Sequence, residues 1–352
     1  MIAPLIAAGV AMVLSLVGTG WIARFMRSHG RSQPILVMDS MNVAVPQHTH
    51  KSGTPTMGGL AIIGAAAIGY LVSHLRKGVV FSNQTLIMWA GVLAMATIGF
   101  IDDYIKVRSK HNRGVLWSRK GWITFGVAIV IAIALVAATD IDTRISLMRA
   151  AVPGWEIGDI AWVLWSASIV FATTNAVNVT DGLDGLAAGS ALFGFVAFTA
   201  ISFLGFRNPT IYPDIVNPYD LAVFAAAFAG GCAGFLWWNA APADIFMGDV
   251  GALAIGSALS LLALTTDTHL LLPLICGLNV IEIGSVALQM AVFKASGRKR
   301  RLFRLSPIHH HFEMGGWAET KVIIRFWLIA GMSVAGALAI YVSDFTHQAS
   351  GR

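Results

Sequence analysis

Charged residues are scarce in this chain of 352 residues, since Asp, Glu, Lys and Arg make up 12% of it, against about 25% in an ordinary soluble domain. No polar stretch is long enough to bury a core of its own, so we predict one transmembrane domain over residues 1–352. Two cysteines lie in apolar runs, Cys232 and Cys276. They are expected to pack as small hydrophobic residues rather than to form a disulfide.

Long apolar runs dominate instead, and 56% of the residues are hydrophobic. Runs of roughly 20 apolar residues are long enough to cross a bilayer as helices. We therefore predict an all-α polytopic integral membrane protein with about ten transmembrane helices, and we assign no function to the short outside connection at 140–159. The predicted spans are 3–24, 57–75, 85–103, 120–139, 158–175, 186–205, 220–238, 250–266, 269–293 and 321–342.

Lysines and arginines are unevenly divided between alternate loops, with seventeen in one set and six in the other. Cytoplasmic loops carry the excess of positive charge, so we predict both termini outside and the odd-numbered loops inside. Arginines follow the first apolar run rather than precede it, and we expect that run to be a retained span, not a signal peptide. The net charge of +6 then favours a membrane surface or phosphate over nucleic acid.

One inside loop, residues 175–185, stands out because it carries amides and carboxylates but no Lys or Arg. Asn178, Asp181 and Asp184 would present oxygen ligands to a metal ion or a polar substrate at the membrane surface. The alternative for Asp184 is that it only caps the next helix.

Three further acids lie at span ends on the same side, namely Asp102 and Asp103, which close span three, and Asp249, which precedes span eight. A helix C-terminus disfavours anions by roughly 0.3–1 kcal/mol each. The adjacent pair is thus better explained by a divalent cation or an abstracted proton, unless Lys106 or Arg108 compensates it. Asp249 is equally well explained as a functional carboxylate or as a helix cap.

Other inside segments add polar groups of less specific meaning. Lys51 and Thr56 suit a phosphate or a uracil-like ring, although Thr56 could simply cap span two. Asn239 and Phe246 could hydrogen-bond to and stack on a base, or pack at the interface.

Three successive histidines in the last inside loop are better suited to phosphates than to zinc, because adjacent side chains diverge. They are His309, His310 and His311.

Taken together and in order, five segments resemble the phospho-N-acetylmuramoyl-pentapeptide transferase family of polyprenyl-phosphate sugar-phosphate transferases. The segments are 51–59, 100–103, 175–185, 246–251 and 307–313. The resemblance implies transfer of a phospho-sugar from UDP-N-acetylmuramoyl-pentapeptide to undecaprenyl phosphate, with release of UMP and a requirement for Mg²⁺. It also implies a homodimer in the bacterial cytoplasmic (inner) membrane, periplasmic termini, a cytoplasmic active site and a part in peptidoglycan synthesis.

The resemblance also implies roles for the matching residues. Asp249 corresponds to the magnesium ligand, and Asp102 and Asp103 to a catalytic pair in which Asp102 would deprotonate the lipid phosphate. His309 is expected to act in catalysis, with His310 and His311 contacting phosphate or sugar. The nucleotide side of the site would comprise Lys51, Thr56, Asn178, Asp181, Asp184, Asn239 and Phe246.

Three alternatives remain open. A sister enzyme would transfer N-acetylglucosamine-1-phosphate to the same lipid, although the His-His-His-Phe-Glu form at 309–313 resembles the muramoyl-pentapeptide branch. An intramembrane prenyltransferase would leave Lys51 and the histidines unexplained. A secondary transporter would hold its acids near the midplane, whereas here they cluster at one surface.

Overall fold

The computed structural model describes residues 2–29, 51, 53–109 and 114–350. Four cations that entered the orientation argument, Arg31, Lys110, Arg113 and Arg352, lie outside these residues. The described helices and strands are α1 (Ile2–Ser28), α2 (Gly59–His74), α3 (Asn83–Ser109), α4 (Trp117–Ala138), β1 (Arg144–Arg149), β2 (Val152–Glu156), α5 (Gly158–Thr180), α6 (Leu186–Arg207), α7 (Pro218–Asn239), α8 (Gly248–Thr265), α9 (Leu272–Ile275), α10 (Gly277–Ala295), α11 (Ile308–Glu313) and α12 (Glu319–Ala349).

The prediction of a polytopic α-helical membrane protein is confirmed. Within the described ranges, nine helices are long and apolar enough to cross a bilayer. The predicted span at 57–75 corresponds to α2, which is not among these nine helices. Its 16 residues extend only about 24 Å, against a hydrocarbon core of about 30 Å. The predicted span at 269–293 is wrong as one helix, because the chain divides there into α9 and α10.

A small β-hairpin was not predicted. β1 and β2 pair antiparallel within the connection at 140–159, to which we assigned no function. The backbone N–H of Leu270 donates to the carbonyl of Ser146 over 2.9 Å, so the hairpin is held against the segment that follows α8.

Helix α8 is the centre of the bundle. Of its membrane-length window 94% is buried, against 28% for α4, and it contacts α2, α3, α5, α6 and α7. Both cysteines are free and buried in this apolar core, as predicted. Asp249 lies in the first turn of α8. The end of the bundle at which α8 begins is here called the site end. Because α8 is surrounded by other helices, several of them can place side chains near Asp249.

Two glycines allow other helices to approach the start of α8 closely. A Cβ atom on Gly59 would overlap the backbone of Gly251, and one on Gly99 would overlap the carbonyl of Asp249. The segment before α2 is fixed there as well, since the Gly59 N–H donates to the Met247 carbonyl over 2.9 Å. Backbone contact therefore holds α2 and α3 at the position of Asp249.

We expect Gly59→Ala to lower the stability of the protein by about 1–3 kcal/mol, because the added methyl group forces α2 away from α8. The matched control is Gly64→Ala in the same helix, where a Cβ meets no atom within 4 Å; this change should leave stability unchanged or slightly raised. Thermal unfolding in detergent measures both variants. Equal shifts in the two midpoints would contradict the close approach.

Candidate active site

Three carboxylates from two helices meet at the site end. Asp102 and Asp103 on α3 and Asp249 on α8 have ligand oxygens that all lie within 4.8 Å of one another. The two α3 residues are 2% and 1% exposed. Carboxylates at this separation repel one another, so their ionised forms require positive charge nearby.

Two lysines supply that charge. The Lys106 Nζ lies 2.7 Å from Asp102 and 2.9 Å from Asp249. Lys120 on α4 also contacts Asp249, and its Nζ lies 3.5 Å from Asp102. From the sequence, Lys120 entered only as a marker of orientation, and Lys106 entered also as a possible partner of the aspartate pair. The contact of both lysines with Asp249 was not predicted, because Asp249 lies on another helix.

The electrostatic argument for the aspartate pair was partly wrong. Helix α3 continues to Ser109, so Asp102 and Asp103 lie inside the helix rather than at its end. Lys106 compensates Asp102 one turn later, the exception that the sequence left open. The pair also accepts backbone hydrogen bonds, from Val115 N–H to Asp102 over 2.6 Å and from Val250 N–H to Asp103 over 3.1 Å.

The polar segment 175–185 is less of a loop than we predicted. Helix α5 runs through Asn178 to Thr180, and Asp181 follows as its C-cap. The Asn178 side-chain amide donates to Asp249 Oδ1 over 2.8 Å. Burial, together with the negative charges of Asp249 and Asp103, raises the pKa of Asp181 well above its ordinary value. This segment therefore belongs to the same electrostatic unit as the carboxylates.

Lys51 forms a second, buried group of charges. Its Nζ lies 2.9 Å from Asp184 Oδ1 and 2.5 Å from Glu319 Oε1. Asp184 also accepts a hydrogen bond of 2.9 Å from the Ala243 N–H. Asp184 does not cap α6, whose N-cap is Gly185 without a side-chain bond. Glu319, in the first turn of α12, was missed because nothing in the sequence links it to Lys51.

Thr56 and Asp249 are not helix caps, so that alternative explanation of each residue is also wrong. The N-cap of α2 is Gly58 and that of α8 is Met247, and neither helix has a side-chain cap bond. Thr56 is buried, and its hydroxyl has no hydrogen-bond partner among the described residues. A Cβ on Gly248 would contact both the Thr56 hydroxyl and Asp103, so this hydroxyl lies beside the carboxylates.

Asn239 and Phe246 lie in the segment that leads to α8. The Asn239 amide donates to the Ile245 carbonyl over 2.8 Å and accepts from the Gly185 N–H over 3.0 Å. Its buried side chain thus joins two segments of the site. Phe246 is half-buried, and its backbone N–H donates to the Pro55 carbonyl. A contact of either side chain with a ligand stays a prediction.

The three histidines lie in the short helix α11 and bond to three different partners, although the rings of His309 and His310 are in contact, with centroids 4.2 Å apart. His309 Nδ1 lies 2.9 Å from Glu282, and His310 Nδ1 lies 2.7 Å from Glu313. His311 Nδ1 accepts from the backbone N–H of Arg304 over 3.1 Å. Burial lowers the pKa of His310 below its ordinary value, which favours the neutral ring.

The fold and the site define a class: a polytopic α-helical membrane protein whose acidic, lysine-flanked site lies at one end of its bundle. Residues 85–267 match glycosyl transferase family 4. Residues 51–63 match signature 1 of phospho-N-acetylmuramoyl-pentapeptide-transferase. These two matches include Lys51, Asp184 and the carboxylates of α3 and α8.

Full-length relatives carry the same name. A phospho-N-acetylmuramoyl-pentapeptide-transferase of Frankia alni is 42% identical over 99% of both chains. The relative from Frankia casuarinae is 43% identical over 99% of both chains. The relative from Rhodococcus opacus is 41% identical over 97% of both chains. The chain belongs to the phospho-N-acetylmuramoyl-pentapeptide-transferase family.

We expect Lys51→Met to destabilise the protein by about 3–5 kcal/mol, because it leaves Asp184 and Glu319 buried without their cation. The control is Arg27→Met, which removes an ion pair to Asp244 whose side chains are 50% and 49% exposed. That pair should contribute about 0–1 kcal/mol. Thermal unfolding in detergent compares the two. A Lys51 variant as stable as the Arg27 variant would show that the buried group does not hold the site together.

Proposed function

We propose that this chain transfers phospho-N-acetylmuramoyl-pentapeptide from UDP-N-acetylmuramoyl-pentapeptide to undecaprenyl phosphate. The products are lipid I and UMP, and the reaction is a step of peptidoglycan synthesis. Full-length similarity to relatives of that name supports the proposal. The observation that carries it is the meeting of three carboxylates with Lys106 and Lys120.

That arrangement suits the two substrates, both of which are phosphate anions. Phosphoryl transfer depends chiefly on positioning and on stabilising charge at the transferred phosphorus. The ammonium groups of Lys106 and Lys120 lie beside Asp249. In this position they could also contact the oxygens of the donor's diphosphate. The lysines would hold the donor while the acceptor phosphate approaches.

Mg²⁺ fits the carboxylate cluster. Carboxylate oxygens are its preferred protein ligands, at 2.0–2.1 Å, so opposite ligands lie about 4.2 Å apart. The oxygens of Asp102, Asp103 and Asp249 fall within 4.8 Å of one another, which a small side-chain adjustment would bring to that range. We propose Asp249 as the principal ligand. Bound there, Mg²⁺ would neutralise the diphosphate of the donor.

The contacts of Asp249 favour direct attack over a covalent phospho-enzyme. Its Oδ1 accepts from Asn178, and its Oδ2 contacts both lysines. Covalent attack by Asp249 on phosphorus would draw one of its oxygens away from these contacts, whereas attack by the lipid phosphate itself needs no such movement of Asp249. We propose that the lipid phosphate attacks the sugar-linked phosphorus itself, with Asp102 taking its proton.

The nucleotide is proposed to lie beside the Lys51 group. Its uracil would stack on Phe246 near Lys51 and Asp184, and Asn178 and Asp181 would lie closer to the phosphates. The short links between these segments support this arrangement, because Asp184 bonds to Ala243 and Asn239 bonds to Gly185. His309, His310 and His311 would contact phosphate or sugar from the other side.

The orientation is part of the same proposal. The excess of cations in alternate loops supports periplasmic termini and an active site on the cytoplasmic face of a bacterial inner membrane. UDP-linked donors are soluble molecules of the cytoplasm, so a site on that face could reach them. We also propose that the protein is a homodimer, and only the family resemblance supports this part of the proposal.

The proposal is tested by transfer in detergent. Purified protein, undecaprenyl phosphate and Mg²⁺ are given UDP-N-acetylmuramoyl-pentapeptide or UDP-N-acetylglucosamine, and released UMP is counted. We expect release only with the muramoyl-pentapeptide donor. Asp103→Asn, with unchanged thermal unfolding, should release none, because it removes a carboxylate of the cluster.

Other outcomes would contradict the proposal in distinct ways. Release only with UDP-N-acetylglucosamine would assign the protein to the sister reaction. Release with neither donor, from folded wild-type protein, would reopen the transporter and prenyltransferase alternatives. Undiminished release by folded Asp103→Asn would remove Asp103 from the catalytic cluster.

A further inference from the structure

Glu282 is a charged residue inside an apolar membrane helix to which the sequence analysis assigned no role. It lies on α10 and is fully buried. Its Oε2 lies 2.9 Å from Nδ1 of His309, which is equally buried. An acid within a membrane span is costly, and such residues are usually functional.

Both side chains have a buried polar atom without a hydrogen-bond partner among the described residues. These atoms are Oε1 of Glu282 and Nε2 of His309. Leaving such a group unpaired costs about 1–3 kcal/mol. A folded protein tolerates that cost most readily where the atom has another task, such as meeting a substrate.

The unpaired nitrogen of His309 faces the acidic segment of the site. A Cβ on Gly182 would lie 2.5 Å from Nε2, so only a glycine allows the ring to approach the backbone there. Gly182 lies between Asp181, whose electrostatic neighbours include Asp249 and Asp103, and Asp184 of the Lys51 group. The ring therefore connects α10 with the centre of the site.

The chemistry of the pair determines which nitrogen carries the proton. An ionised carboxylate only accepts hydrogen bonds, so Nδ1 must carry a proton and donate it to Glu282. In the neutral ring Nε2 is then the acceptor, and in the charged ring it is a second donor. In either form Nε2 is the atom left for a ligand.

We propose that Glu282 is a positioning residue, which holds the proton of His309 on Nδ1 and thereby presents Nε2 to the substrate beside Gly182. The inference rests on the proposed function, since it assumes that a substrate meets this ring. It assigns to Glu282 a part in the reaction that is exerted entirely through His309.

A double-mutant cycle tests that dependence. Glu282→Gln keeps the side-chain shape but replaces the carboxylate by an amide that can turn its NH₂ toward the ring. Removing the hydrogen-bond partner of a metal-bound histidine typically costs about 10- to 100-fold. We expect a loss of that order in kcat here, with the KM for the donor changed by less than about twofold. In a His309→Ala background the same change should cost nothing further, because the ring on which it acts is gone.

Two further variants separate positioning from packing. Glu282→Asp keeps the charge, and we expect it to restore part of the lost kcat. Asp220→Asn alters another buried carboxylate–histidine pair, in which Asp220 Oδ1 lies 3.0 Å from His74 Nε2 at the opposite end of the bundle. This control should lower thermal stability and leave kcat unchanged at temperatures where it is folded.

A spectroscopic measurement is independent of turnover. In protein labelled with ¹⁵N-histidine, with His309 assigned by its loss in His309→Ala, we expect a proton on Nδ1 in the wild type. In Glu282→Gln that proton should be lost or shared with Nε2. If the wild type releases no UMP, the proposed function fails, while this spectrum still reports on the Glu282 pair.

Three results would overturn the inference. The first is a loss of kcat from Glu282→Gln that is equal in the wild-type and His309→Ala backgrounds. The second is a kcat within about twofold of wild type in folded Glu282→Gln. The third is a ¹⁵N spectrum that Glu282→Gln leaves unchanged.

Discussion

The contact of Lys106 and Lys120 with Asp249 is the interaction on which the site depends. Three carboxylates within 4.8 Å of one another could not remain ionised there without nearby cations. One lysine comes from α3 and the other from α4, and Asn178 of α5 bonds to the same carboxylate. Charge compensation at the start of α8 therefore joins four helices, and glycine contacts along α8 allow the required approach.

Burial of an acid is not sufficient to make such a site. At the opposite end of the bundle, Asp220 is also buried, but its oxygens accept from His74, Ser82 and Thr85. That carboxylate is satisfied locally by neutral donors and a single histidine. The case against a transporter assumed that the acids cluster at one surface. Asp220 shows that buried acids occur at the opposite end of the bundle as well. What distinguishes the site end is the crowding of several carboxylates against the ammonium groups of two lysines.

Much of this architecture could be predicted because a bilayer admits few solutions. Only helices and closed barrels satisfy the backbone in lipid, so apolar runs such as 186–205 located the helices directly. The acidic residues were found since charge is expensive there. Lys120, Glu282 and Glu319 were missed, because their roles depend on partners distant in sequence. Lys106 was considered as a partner of the aspartate pair, but its contact with Asp249 was missed for the same reason. Helix ends at Ser109 and Thr180 were missed as well, because a polar residue is compatible with both a last helical turn and a loop.

The central claim is that Asp102, Asp103 and Asp249 form one divalent-cation site. Mn²⁺, which prefers the same oxygen ligands as Mg²⁺, can be titrated into the protein in detergent while electron paramagnetic resonance follows the free ion. The account predicts one site from which Mg²⁺ displaces Mn²⁺, weakened at least about tenfold in Asp249→Asn. Asp244→Asn, which changes an exposed acid, should leave it unaltered. Equal Mn²⁺ affinity in the wild type and Asp249→Asn would contradict the claim.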